Sequence, residues 1–347
     1  MLLSGKKPAL SIEITKECPL RCPGCYAYGE THLGEGASTL RQLSDFKGAE
    51  LVSRFMEVVD ERKPIHLSIV GGDPLVRYRE LNEILPQLER RGIHVQLVTS
   101  AFRELPAEWA KLKFVYTVVS IDGLAPEHDK RRAPATYERI LKNIKGHSIT
   151  VHCTITSQMM KREGYLEQFL AFWDSVPETQ RIWMSMYTPQ IGERSEEILS
   201  PEERQHAISD LLRVRKLYPK LEMNDPTIRA FGHPPNTPAE CIFAQTTHSI
   251  SADLKTQIGP CQFGGNPDCK QCGCIASMGM EALGRHRTKV GIHVKDFFRA
   301  TSVVGNAVSR SRRKKDAPKE LLPILPAARV PIGQDAPTSV ESIEPRA

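Results

Sequence analysis

Between residues 8 and 235, short runs rich in β-branched residues alternate with amphipathic helical stretches. This alternation limits the possible folds more than any other feature of the chain. Strands are expected at residues 9–15, 65–70, 94–99, 114–121, 149–156 and 181–187. Helices are expected at residues 39–60, 78–91, 137–145, 164–173 and 201–218, with Pro106 placed to open a short one. Six strand–helix units of this kind build a parallel sheet, and a closed TIM barrel would need two more. In such sheets the loops at the C-terminal strand ends share one rim and carry the chemistry. That rim would gather residues 18–26, 71–74, 99–100, 120–123, 156 and 187–190.

The first of these loops reads Cys18-Pro19-Leu20-Arg21-Cys22-Pro23-Gly24-Cys25-Tyr26. Three thiols spaced by three and then two residues can be wrapped around one metal centre by a short loop. Thiolate is the ligand that Fe–S clusters use, and three ligands on a four-iron cube leave one iron open to a small molecule. A zinc site short of its fourth ligand, or a coincidence of cysteines, is the competing account. Zinc loops usually show paired cysteines with a second pair or histidines.

The chain has 347 residues, enough for one large domain and a small one. No apolar run is long enough to span a bilayer, and the first seven residues hold no signal-peptide core. The nine cysteines are therefore expected to be reduced and metal-ligating in a cytoplasmic protein. Of the net charge of +6, the residues from Arg299 onward carry +4 and the preceding ones only +2. A near-neutral body gives no argument for a nucleic-acid substrate. The basic run 310–315 and the Pro-, Ala- and Ser-rich stretch after it read as a solvated, disordered tail.

Five of the nine cysteines, Cys241, Cys261, Cys269, Cys272 and Cys274, fall within 34 residues rich in Gly, Pro and Asn. Cys269-Lys270-Gln271-Cys272-Gly273-Cys274 is a tight ligand loop, and a helix is expected after it at 279–287. Its CxxC pair suits structural zinc as well as Fe–S ligation. Cys153, His66, His94 and His152 lie inside strands and read as structural.

CxxxCxxC followed by an aromatic resembles the signature of the radical S-adenosylmethionine (SAM) enzymes. The six-unit alternation resembles their partial (β/α)6 TIM-like barrel, here with a small Cys-rich C-terminal extension. Gly71-Gly72-Asp73-Pro74 is similar to the family's GGEP motif, with Asp73 in place of glutamate. Ser120-Ile121-Asp122-Gly123, His128-Asp129 and Arg132 resemble the SxDGxxxxHDxxR segment of the SPASM/Twitch branch. The resemblance implies a [4Fe–4S] cluster on Cys18, Cys22 and Cys25 whose open iron chelates SAM. It puts Tyr26 beside the adenine or the cluster, and the backbone of Gly71, Gly72 and Asp73 at the amino group of SAM. Ser120 and Arg132 would hold its ribose and carboxylate, with Arg131 an adjacent candidate. Cys241 and Gly259-Pro260-Cys261 resemble the start of a SPASM or Twitch extension with an auxiliary [4Fe–4S] cluster, although Thr256 stands at the expected glycine. Structural zinc remains the alternative there.

The implied division is a radical SAM core at 8–235, an auxiliary Cys-rich domain at 236–298 and a tail at 299–347. The implied activity is reductive cleavage of SAM to a 5′-deoxyadenosyl radical that takes hydrogen from a substrate. A peptide side chain is the leading substrate, with a small molecule, lipid precursor or nucleoside derivative open. The electron would come from a donor such as flavodoxin or ferredoxin. The rival class is a non-catalytic Fe–S or zinc redox sensor whose basic tail touches nucleic acid. A sensor would not need Gly71–Pro74 and Ser120–Gly123 at strand ends, and SAM cleavage separates the two.

Overall fold

A computed structural model describes residues 7–286 together with His293 and Asp296. Its strands are β1 Ala9–Glu13, β2 His66–Val70, β3 His94–Thr99, β4 Val115–Ile121, β5 Ile149–Ile155, β6 Thr179–Met186 and β7 Thr247–Ile250. They form a single sheet in the order β6-β5-β4-β3-β2-β1-β7, and every neighbouring pair is parallel. The sheet does not close, so β6 and β7 are its edges. The helices are α1 Gly48–Arg62, α2 Tyr78–Arg90, α3 Ala125–Arg132, α4 Tyr137–Asn143, α5 Ser157–Met160 and α6 Tyr165–Ser175, then α7 Pro201–Val214, α8 Asp225–Ala230, α9 Ile242–Thr246 and α10 Ile275–Arg285. This is the expected α/β partial barrel, with the first six strands within two residues of their expected bounds.

Helices cover the outer face of the strands and bury its apolar side chains. α2 presents Leu81, Ile84, Leu85 and Leu88, and each has no exposed surface. Burying four side chains of that size contributes on the order of 6–12 kcal/mol before conformational entropy is subtracted. Ser200 and Glu203 cap α7 reciprocally, with Ser200 N donating to Glu203 Oε2 at 2.9 Å and Glu203 N to Ser200 Oγ at 3.2 Å. Pro201 occupies the first helical turn as expected. No helix among the described residues is long and apolar enough to cross a membrane.

Three differences from the sequence expectation bear on function. The stretch 39–60 is divided: Thr39 caps a short 3₁₀ turn, Leu40–Gln42, and α1 starts only at Gly48. The residues between are drawn towards the base of the cysteine loop, where Lys16 Nζ donates to the Leu43 carbonyl at 2.6 Å and Thr15 Oγ1 to Asp45 at 2.9 Å. α10 begins at Ile275, four residues before its expected start, with Cys274 as its N-cap. β7 comes from the stretch read as auxiliary and pairs with β1 through Thr247 to Ile250. Arg287 and the tail from residue 299 lie outside the described residues.

Candidate metal centre and its rim

The loop carrying Cys18, Cys22 and Cys25 is seated on the end of β2. Ile14 N donates to the Val70 carbonyl, Gly72 N to Thr15 and Asp73 N to Glu17, each at 2.8 Å, so the β1–β2 pairing continues to the first cysteine. The approach is close enough that a Cβ on Gly72 would collide with the Glu17 carbonyl. Beneath it, buried Arg77 pairs with Asp45 at 2.7 Å and with Glu17 at 3.1 Å.

The Asp73 side chain is turned to a structural task. Its carboxylate accepts from Thr99 Oγ1 at 2.7 Å, Ser100 N at 2.9 Å, Ser100 Oγ at 2.5 Å and Leu75 N at 3.0 Å. These bonds tie the end of β2 to the end of β3.

Cys22 and Cys25 line an open cavity of about 450 Å³ with Arg21, Gly24, Tyr28 and Arg41. Burial pushes the Cys18 thiol up to about 12 and raises Cys22 as well, although Arg132 pulls Cys22 the other way. A metal must therefore displace protons to bind here.

β4 delivers Ser120 opposite His152 of β5, and then Asp122. Arg132 grips Asp122 with two bonds, Nε to Oδ2 at 2.8 Å and Nη2 to Oδ1 at 3.2 Å. Burial alone would raise the Asp122 carboxyl, but Arg132 and Arg131 outweigh it and hold the group at about 2. Fully buried His128 accepts from Asp122 N at 3.0 Å through Nδ1 and donates from Nε2 to the Ala135 carbonyl at 2.9 Å. Burial and Arg132 lower it to about 4, so it is a neutral brace.

Arg131 does something the sequence did not reveal. It donates to Asp122 at 2.9 Å, to the Pro23 carbonyl inside the cysteine loop at 2.7 Å, and to both oxygens of Glu197. It is a clamp from α3 onto that loop. The Tyr26 ring lies edge-on to Phe263 at 5.3 Å and tilted against His32 at 5.8 Å.

The structure brings the other five cysteines together. Cys241, Cys261, Cys269, Cys272 and Cys274 all line one small cavity of about 30 Å³, with Phe243 and Phe263 among its apolar walls. Burial pushes Cys261 up to about 12 and Cys269 up to about 11. The segment is fastened to the end of β6: Met186 N donates to Gly273 at 2.9 Å and Gly273 N to Thr188 Oγ1 at 2.8 Å. A Cβ on Gly273 would collide with the Met186 carbonyl. Arg204 of α7 donates to the Gln271 carbonyl at 2.6 Å and the Cys272 carbonyl at 3.2 Å. Cys241 and Cys274 are the N-caps of α9 and α10.

Cys153 is buried in β5, and His152 is lowered to about 4 by burial and bonded to Ser185 Oγ at 2.8 Å, both in keeping with structural roles. His32, Glu13, Arg204 and Glu197 were not singled out from the sequence. Only Glu13 left a signal there, as a charge between Ile12 and Ile14 in an apolar strand.

Among proteins of known function, the chain is 25% identical over 229 residues to the Fe-coproporphyrin III synthase of Methanosarcina barkeri (strain Fusaro / DSM 804), covering 62% of this chain and 53% of that one. The chain thus spans about half the length of that relative. Among solved structures it is similar to anSMEcpe with bound AdoMet, at a TM-score of 0.54 and 12% identity over 88% of this chain and 98% of that one. It is also similar to Streptococcus suis SuiB bound to the precursor peptide SuiA, at a TM-score of 0.51 and 16% identity over 82% and 68%. At these identities the structural likeness establishes the fold alone. Residues 12–167, from β1 through the cysteine loop and both rim motifs into α6, match the Radical SAM superfamily model.

Proposed function

We propose that this chain is a radical SAM enzyme in which Cys18, Cys22 and Cys25 hold a [4Fe–4S] cluster that binds SAM. The observation that carries this reading is the seating of the three-cysteine loop on the Gly71-Gly72 backbone at the rim, with Arg131 bonded to the Pro23 carbonyl inside it. When bound, the cluster and SAM supply one-electron cleavage of the sulfonium and a carbon radical able to take hydrogen from a substrate.

The chain's own contribution is orientation and exclusion of water. The glycine backbone of Gly71 and Gly72 receives the SAM amino group, and Ser120 faces its ribose. Arg131 distributes its donors over three partners, whereas Arg132 grips Asp122 alone. The SAM carboxylate therefore falls to Arg132, which has donors left to give.

Cys241, Cys261, Cys269, Cys272 and Cys274 belong to a SPASM/Twitch-like region within 236–298 that takes an auxiliary [4Fe–4S] cluster. The spacing of the thiols favours the cluster over zinc, because a lone tetrahedral ion closes its ligands on a point. Among the described residues no three His, Cys, Asp or Glu side chains converge on a single ion. A peptide side chain is the substrate this reading favours, supported by the likeness of fold to SuiB bound to its precursor peptide. The electron comes from a reduced carrier such as flavodoxin or ferredoxin.

Anaerobically reconstituted and reduced protein should release 5′-deoxyadenosine from SAM, and Cys18→Ala, Cys22→Ala and Cys25→Ala should each abolish it. Release that persists in all three variants overturns the site. In the triple-alanine variant, about four irons remaining support the auxiliary cluster, and zinc in place of iron makes the second region a structural clip.

A further inference from the structure

Glu13 ends β1, and His32 lies in the loop that follows Cys25. Both side chains are buried, at 2% and 0% exposure, and His32 Nε2 sits 2.9 Å from Glu13 Oε1. The other ring nitrogen, Nδ1, sits 2.9 Å from the Phe263 carbonyl, 231 residues away in sequence. Both partners are acceptors, so a ring that satisfies both carries a proton on each nitrogen. Glu13 is in turn held by Ser251 Oγ at 2.6 Å, just past β7.

The backbone repeats the link. The His32 carbonyl accepts from Gly265 N at 3.2 Å, and a Cβ on Gly264 would collide with that carbonyl. Alongside, Tyr26 is the residue after Cys25, Phe263 lies two residues after Cys261, and their rings meet at 5.3 Å. One buried side chain thus fastens β1, the N-terminal cysteine loop and the C-terminal cysteine segment to each other. An apolar plug would fill the same space without needing a partner for each polar atom. A buried charged pair demands one geometry, because displacement of either segment strands an uncompensated group.

We infer that His32 is a positioning residue that couples the two cysteine centres, so that metal ordering the C-terminal segment also holds the loop from Tyr26 to His32 in place. The inference rests on the reading that the C-terminal cysteines take a metal, and its test keeps the two apart. The full chain carrying Cys18→Ala, Cys22→Ala and Cys25→Ala can load only its C-terminal site. Amide hydrogen exchange is followed in peptides covering residues 26–33, before and after anaerobic loading with iron and sulfide or with zinc, alongside a metal assay.

Loading should slow exchange in residues 26–33 by about tenfold or more. Adding His32→Gln should leave the bound metal unchanged and remove that slowing. Gly264→Ala, whose Cβ would meet the His32 carbonyl and Nδ1 and so push the segment off an unsubstituted His32, should do the same and serves if His32→Gln fails to fold. Slowing that survives in both variants, or its absence from the parent, overturns the coupling. If no metal binds at the C-terminal site, the metal assay shows that the two-centre reading has failed and this inference with it.

Discussion

Cys22 and Cys25 open onto a cavity shared with Arg21 and Arg41, whereas the C-terminal cysteines line a smaller one walled by Phe243, Phe263 and prolines. The first loop is held from outside by charged clamps, Arg131 on Pro23 and Arg77 on Glu17. The second is held by backbone contact with the end of β6 and by Arg204 on its carbonyls. Cys241 and Cys274 are themselves buried. A centre that must admit a ligand to an open iron needs access and a charged lining. A centre that is fully ligated needs only enclosure. The two cysteine groups differ in that sense before any metal is considered.

The difference can be broken from either side. The largest effect should come from Gly273→Ala, whose Cβ has no room beside Met186. This variant should lose C-terminal metal and, through the His32 link, loosen residues 26–33, while the N-terminal centre and SAM binding fall less, measured as iron per chain and as SAM affinity. Equal loss at both centres would show that the N-terminal loop has no hold of its own on the rim. Arg131→Leu is the reciprocal change. It releases Pro23 and leaves Glu197 without its partner, which should cost about 2–3 kcal/mol in chemical unfolding after allowance for partial exposure. SAM cleavage should fall more than C-terminal iron content does.

The smallest effect is pH-dependent. The Asp122 carboxyl titrates at about 2 in the folded chain against an ordinary 3.8. The native state therefore binds fewer protons than the unfolded one across this window. The stabilisation is fully present above about pH 4 and is lost as pH falls through about 2. Asp122→Asn should cost on the order of 2 kcal/mol at neutral pH, with the gap to the parent narrowing over that acid range in denaturant titrations. A gap that stays constant down to pH 2 would mean that Asp122 is not held ionised by its arginines.

The six strands of the core were legible because each is a β-branched run bounded by turn-formers, and buried parallel strands need little else. The three-cysteine loop was legible because its ligands are adjacent in sequence. β7 was not, since Thr247-His248-Ser249-Ile250 is short and half polar, and only β1 beside it makes it a strand. Residues 43–46 read as helix because their apolar spacing continues that of α1, yet contacts to Lys16 and Thr15 draw them elsewhere. Arg131 and Arg132 could not be told apart from the sequence. Their roles differ only through Pro23 and Glu197, which are 108 and 66 residues from Arg131.

The open sheet has a mechanical consequence. β7 lies at one edge and β6 at the other, and the chain from Ser251 to Gly273 runs from the first to the end of the second. The gap between the two edges is therefore bridged by a strap of backbone, because no strand pairing closes it. The length of that strap can change without altering the register of any strand pair.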